Sequence, residues 1–405
     1  MTRRLALTVT GLLVAGTAVA GGAYEYRHAT RALAAPGGVV SWASPADGSA
    51  LSGITTLQVT APDTTTLTTF FVDGRKAAVD ASGSPWSAEW DTYGVANGAY
   101  MLSVEARTLG GYLLRSPAIT VRVNNLEDPL VAVAGDVACD PASPAFNHGI
   151  GTPGSCRQAA TARLLDGRNL SAVFIPGDSQ YYSGGLAAYE ASYDPSWGKY
   201  KAITYPAPGN HEYLTGGGAG YYAYFGARAG DSAKGYYSFN FGTWHVIALN
   251  SQCDEVGGCD SGSPQEQWLR GALAAHPATC TVAFWHEPRY SSSPRRDNTA
   301  VTPFWRDLYA AGVDLVLNGH AHEYERFAPM DPLGNLDSAH GIREIVVGTG
   351  GAEHVPFGAI RAQSEARSDD TFGVLLLTLH PKGYDWTFVP EVGKTFTDSG
   401  SGACH

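Results

Sequence analysis

The stretch VLNGHAHEYERF, Val316 to Phe327, ends an apolar run in Gly319-His320-Ala321-His322. Side chains two residues apart on an extended segment point the same way, so His320 and His322 face a common point. Packing rarely asks for two imidazoles there, whereas a metal site does. Four other segments end in the same manner. VAVAGD closes at Asp136, VFIPGD at Asp178 and VAFWHE on His286, while YPAPGNHE presents Asn210, His211 and Glu212. A single Gly-Asp is ordinarily a turn, and a single His is ordinarily a satisfied surface or core residue. Turns alone do not explain five such endings in succession, all with metal-ligating side chains.

The surroundings of these endings set the fold class. PLVAVAGD, SAVFIPGD, HVIALN, TCTVAFWHE, VDLVLNGH, REIVVGTGG and GVLLLTLHP are continuous apolar runs, which suit strands covered on both faces. Helix signals lie between them. Ser263-Pro264-Gln265-Glu266 is a capping box with proline at the first helical position, opening PQEQWLRGALAAH. Thr302-Pro303 opens PFWRDLYAAG, and SCRQAATARLLDG is a third candidate. Alternating strands and helices predict an α/β domain with buried sheets, its ligands on loops at the strand ends.

Residues 39–125 read differently. TTLQVTAP, TTFFVDGR, YMLSVEAR and AITVRVNN alternate in polarity, and turn signals such as PADGS and GVANG separate them. That spacing predicts an all-β sandwich. The segment holds no His or Cys and resembles immunoglobulin-like modules, with a spacer or surface-binding role. NNLEDP, Asn124 to Pro129, marks the boundary. The expected organisation is a targeting segment and linker over 1–38, the β-sandwich over 39–125, the α/β domain over 126–395 and a tail over 396–405.

The chain has 405 residues and a formal net charge of −11. That charge argues against a nucleic-acid partner. It leaves room for a phosphorylated small molecule, because bound metal reverses the local field. At the start, basic MTRR precedes uncharged LALTVTGLLVAGTAVA, and Ala18-Val19-Ala20 resembles a signal-peptide cleavage site. The expectation is secretion, or a tether to the outer face of the membrane if the segment is kept. Six cysteines, an even number, then read as disulfides. Cys253 and Cys259 bracket CDEVGGC and are expected to pair; Cys139 with Cys156 and Cys280 with Cys404 complete the expected set.

The series GD, GDxxY, GNHE, H and GHxH, from Asp136 to His322, resembles the signature of the calcineurin-like metallophosphoesterases, and the likeness extends over most of 127–395. It implies a four-layer αββα sandwich. Many members carry Asp-x-His in the first motif, but this chain reads Asp136-Val137-Ala138. The second motif reads Gly177-Asp178-Ser179-Gln180-Tyr181. This version, with GHAHEYER, is similar to the purple acid phosphatases, where a tyrosine phenolate replaces the lost imidazole. The resemblance implies one metal on Asp136, Tyr181, His322 and a bridging Asp178, and a second on Asp178, Asn210, His286 and His320. Hard oxygen ligands and a phenolate favour Fe(III) at the Tyr181 site, while the second site suits divalent Zn, Mn or Fe(II).

The resemblance also implies an exported phosphatase that hydrolyses phosphate monoesters by attack of a metal-bound hydroxide. His211 is the implied general acid, and Glu212 is read as a structural partner of its loop. Some members carry further histidines after the position of His286; this chain offers Arg295 and Arg296 there instead. Arg289, Arg295 and His354 are therefore candidate substrate contacts. Two alternatives stay open: a phosphodiesterase on the same metals, and a surface-binding module with a vestigial esterase site. The intact ligand set argues against the second.

Overall fold

The computed structural model describes residues 38–52, 54–92, 95–125, 128–294 and 297–405. The expected targeting segment lies outside the described residues. Among the described residues no helix is long and apolar enough to cross a membrane.

The first part of the chain is a β-sandwich. One sheet pairs β1 (Ser41–Ser44), β3 (Ile54–Thr60) and β6 (Trp86–Asp91). The other runs β2 (Ala50–Leu51), β9 (Ile119–Val123), β7 (Gly98–Thr108), β4 (Thr65–Val72) and β5 (Arg75–Asp80), with β8 (Leu113–Arg115) on β7. The inward residues of the alternating strands, among them Leu57, Val59, Phe70, Leu102, Val104 and Val121, close a single core. Alternation is the right periodicity here because each sheet has one wet face.

The second part packs two sheets face to face. The first is ordered β12 (Thr204–Ala207), β11 (Ala172–Pro176), β10 (Leu130–Val133), β20 (Gly373–His380), β21 (Gly383–Pro390) and β22 (Ser399–Ala403). The second is ordered β13 (Tyr237–Phe241), β14 (Trp244–Ala248), β15 (Cys280–Phe284), β16 (Leu315–Asn318), β18 (Arg343–Val347), β17 (Tyr324–Phe327) and β19 (Ser364–Ser368). β10, β11 and β12 are parallel to one another, as are β14, β15, β16 and β18. Antiparallel strands fill the flanks.

Between the sheets Val131, Phe174, Phe284, Leu317, Leu375 and their neighbours form one buried layer. Phe174 and Phe284 stack across it with ring centroids 5.1 Å apart, a contact that adds about 0.5–1.5 kcal/mol to area burial. On the outer face of the second sheet lie α5 (Pro264–Ala275) and α6 (Thr302–Ala310), which bury Leu269, Phe304, Trp305 and Leu308. On the outer face of the first sheet lie α1 (Gln158–Arg163), α2 (Leu186–Ala188), α3 (Asn210–Tyr213) and α4 (Ala219–Phe225), with Trp197, Tyr221 and Phe225 in the seam. The layers are thus αββα, and the strands read as uninterrupted apolar runs because both faces are covered.

Two details differ from the sequence reading. At α5 the Ser263 side chain accepts from Glu266 N at 3.3 Å, but Glu266 reaches back to Gly262 N at 2.9 Å. Ser263 N is already donated to Asp260 O, so half of the box is displaced by one residue. The residues expected as a tail form β22, antiparallel to β21. Gly400 and Gly402 lie where a Cβ would strike the Trp386 and Tyr384 rings at 2.4 Å, so only glycine lets this edge strand close over them. Cys280–Cys404 anchors its end, and Cys139–Cys156 and Cys253–Cys259 are also formed, as expected.

Candidate metal centre

Each expected ligand stands just beyond the carboxyl end of a parallel strand. Asp136 follows β10, Asp178 and Tyr181 follow β11, Asn210 follows β12, His286 follows β15, and His320 and His322 follow β16. Both sheets present these ends along one edge of the sandwich, so residues up to 186 positions apart converge. The backbone is strained where they meet. Asp136, Asp178 and His320 have φ of 58°, 46° and 65°, in the left-handed region that side chains other than glycine rarely occupy.

The donor atoms crowd together. Tyr181 OH lies 2.8 Å from Asp136 Oδ1, 3.1 Å from Asp178 Oδ2 and 2.9 Å from His322 Nε2. On the other side, His286 Nε2 is 3.1 Å from Asp178 Oδ2, 3.1 Å from Asn210 Oδ1 and 3.2 Å from His320 Nδ1. Asp178 Oδ2 belongs to both groups. All seven expected metal ligands are therefore in one cluster, with Asp178 between its halves.

The outer partners say which atoms face inward. His286 Nδ1 meets Pro176 O at 3.0 Å, and His322 Nδ1 meets Glu353 O at 2.6 Å. A carbonyl accepts, so Nδ1 carries a hydrogen on both rings and Nε2 is the nitrogen turned toward the cluster. Those nitrogens face carboxylates, an amide oxygen and a hydroxyl that has one proton for three acceptors. Such a knot of acceptors calls for positive charge among them, from imidazole protons or from bound cations. Burial works against the ionised forms of Asp136 and Asp178, yet His322 beside the first and His286 beside the second hold both below the usual carboxylate range. Burial also opposes charge on His286, but Asp178 outweighs it and pushes the imidazole up to about 10. The donor set and its hunger for positive charge fit metal ions.

His211 borders the cluster. Its backbone N donates to Asp178 Oδ1 at 3.0 Å, and its ring lies 4.4 Å from the Tyr181 ring. Nδ1 donates to Tyr182 O at 2.6 Å, which leaves Nε2 facing Asp178 at 3.9 Å. Glu212 does more than the sequence reading assigned. Its buried carboxylate accepts from Asp178 N at 3.0 Å, Gly209 N at 2.7 Å, Gln180 N at 3.3 Å, Ser179 Oγ at 3.1 Å and Tyr189 OH at 3.1 Å. It binds the Asp178 loop to the Asn210 loop. Gly209 is required between them, because a Cβ there would sit 2.2 Å from Asp178 Oδ1.

The expected substrate contacts do not join the cluster. Arg289 lies against the Tyr290 ring and 3.8 Å from Asp297, its backbone N on Glu344. His354 is tucked beneath His322, with Nδ1 on His322 O at 3.0 Å and its ring on Phe372, so it supports the site and does not rim it. Arg295 and Arg296 lie outside the described residues. Sequence reasoning missed Asp140 and Glu353, which with Tyr182 of the Gly/Tyr-rich YYSGG loop line a cavity of about 290 Å³ next to Tyr181, His211 and His322. The only signal for these two was adjacency to Cys139 and His354.

Fold and centre together resemble those of the metallophosphoesterases. Residues 130–324 match the family model of the calcineurin-like phosphoesterases, and residues 39–104 match that of a bacterial Ig domain. More narrowly, the phosphoesterase part is similar to purple acid phosphatases. It is 34% identical over 134 residues to purple acid phosphatase 15 of Arabidopsis thaliana, covering 30% of this chain and 23% of that protein. It is 37% identical over 108 residues to a probable purple acid phosphatase 20 of the same plant, covering 25% and 24%. The matched segments thus span about a quarter of these relatives' length. A purple acid phosphatase from yellow lupin seeds shares the fold, with a TM-score of 0.57 and 16% identity over 90% of this chain and 73% of that one.

Proposed function

We propose that this chain is an exported phosphatase acting on phosphate monoesters at a two-metal centre. The observation that carries the reading is the Tyr181 hydroxyl lodged among Asp136, Asp178 and His322, at the place where position 138 supplies alanine and no imidazole. Asp136, Tyr181, His322 and Asp178 would hold one ion, and Asp178, Asn210, His286 and His320 the other. A phenolate ligand, with pKa about 10 when free, favours Fe(III) in the first place and leaves a divalent Zn, Mn or Fe(II) for the second. When bound, the pair supplies Lewis acidity to phosphoryl oxygens and acidifies water.

The chain's own residues do the rest. The Pro176 and Glu353 carbonyls keep His286 and His322 turned inward as Nε2 ligands. Glu212 holds the Asp178 and Asn210 loops at a fixed separation. His211, steered by the Tyr182 carbonyl, presents Nε2 to the pocket, where its protonated form gives a proton to the departing oxygen. Export is supported by three disulfides with no free cysteine among the described residues. The test is hydrolysis of p-nitrophenyl phosphate beside its bis-ester from pH 4 to 9, by chain loaded with iron plus zinc or manganese. Monoester turnover that is lost in Asp178→Asn, with both metals quantified, supports the reading. Faster bis-ester turnover replaces it with a phosphodiesterase, and absence of either activity in fully loaded chain overturns it.

A further inference from the structure

The cavity beside the metal centre has two unlike ends. Tyr181, His211 and His322 form its inner wall, and Asp140, Glu353 and Tyr182 its outer one. A phosphoryl group bound beside Tyr181, His211 and His322 would occupy the inner end, and the alcohol it leaves behind would lie toward the outer one. No Lys or Arg is among the described residues that line this cavity. The nearby Arg157 is paired with Glu391 at 2.8 Å and is no lining residue. Two carboxylates and an aromatic ring remain to greet the leaving group. Tyr182 is 63% exposed, and its ring stands perpendicular to that of His211 with centroids 4.7 Å apart. Asp140 is half-buried, with Oδ1 accepting from Ala142 N at 2.8 Å. Glu353 is anchored through its carbonyl on His322, and its side chain is exposed.

We infer that the outer end selects phosphate esters of small alcohols bearing an ammonium group, such as phosphocholine and phosphoethanolamine. The inference rests on the phosphatase reading and adds its substrate class. A cation is attracted by Asp140 and Glu353 and by the Tyr182 ring. A leaving group carrying further phosphates meets those carboxylates instead and is repelled. The cavity's volume is at the lower limit of ligand pockets, which suits a small alcohol and excludes a bulky one.

The test uses the full metal-loaded chain and two substrates of one shape: phosphocholine and its uncharged carbon isostere, 3,3-dimethylbutyl phosphate. Each kcat/KM is normalised to p-nitrophenyl phosphate. At low salt phosphocholine is preferred roughly tenfold, and the Asp140→Asn/Glu353→Gln chain brings the ratio to about one. Added salt reduces the wild-type ratio, since exposed charges are screened. Equal use of the two isosteres by wild type, or a ratio that the double substitution leaves in place, overturns the inference. Loss of all ester turnover would instead be the failure of the phosphatase reading. In that event saturation-transfer NMR with choline chloride decides: contact seen in wild type and lost in the double variant sustains the cation site, and no contact in wild type overturns it.

Discussion

Replacing Glu212 by glutamine and by alanine separates its charge from its geometry. The carboxylate faces three backbone N–H groups, of Asp178, Gly209 and Gln180, and two hydroxyls, of Ser179 and Tyr189. In Glu212→Gln the amide oxygen takes the Oε2 place and keeps Asp178 N and Gly209 N. Its NH2 then occupies the Oε1 place. There the two hydroxyls, 2.6 Å apart, can turn and accept, so only Gln180 N loses its acceptor. One weakened amide contact costs about 1–2 kcal/mol. Part of that is offset, because burial and the Asp178 charge both push the Glu212 carboxyl up and so disfavour the ionised form that glutamine removes. Glu212→Ala orphans three buried N–H groups at about 1–3 kcal/mol each. Water entering the void satisfies some of them, and the expected loss is about 3–6 kcal/mol, a severe value for one substitution. Denaturant unfolding of the disulfide-intact chain, with both variants measured beside wild type, reads the difference. Metal titration of the same samples should show alanine weakening affinity about 10–100-fold, and glutamine much less. If alanine cost under about 1 kcal/mol, or if the two variants were equally damaged, Glu212 would not be the tie between the loops.

Gly209→Ala, whose Cβ would press on the Asp178 carboxylate and backbone N, should lower the unfolding midpoint together with metal stoichiometry and turnover; full metal loading at wild-type stability would refute the close approach. His211→Ala is expected to lower kcat about 10²-fold with metal content unchanged, measured by turnover and metal analysis together; a fall in metal content would make it a ligand or a prop for one. Removing Cys280–Cys404, which spans 124 residues, should cost about 5 kcal/mol on the chain-entropy account, against about 2 for Cys253–Cys259 with its span of 6; an equal cost in denaturant titrations would contradict that ordering. Burial and a shared hydrogen bond with Glu266 raise Asp307 to about 6. A carboxyl raised on folding stabilises below its unfolded pKa, and that contribution is lost as pH rises through about 6. Asp307→Asn should therefore gain on wild type between pH 4 and pH 7 in urea midpoints, and a gap that does not change with pH would refute it.

Much of the centre was legible in the sequence for one physical reason. Ligands that must meet at a sheet edge are placed one turn beyond apolar strands, so Asp136, Asp178, His286, His320 and His322 each follow a run that both-face burial makes unmistakable. The substitution of Ala138 for a histidine, and the appearance of Tyr181 three residues after Asp178, were local facts of composition. So were the alternating strands of the first domain and the Pro264 that opens α5. Tertiary structure alone decided the rest. Which ring nitrogen points inward depends on Pro176 O and Glu353 O, carbonyls 110 and 31 residues from the histidines they fix. Glu212 serves five donors contributed by two loops and a helical segment, which its place in GNHE does not announce. Ser399–Ala403, with glycine and serine where β-branched residues favour strands, became an edge strand because Trp386 and Tyr384 need a neighbour without side chains and Cys404 holds it to β15. Local pattern fixes what each segment is, by burial and periodicity; which distant groups share its polar atoms is settled only when the sheets close.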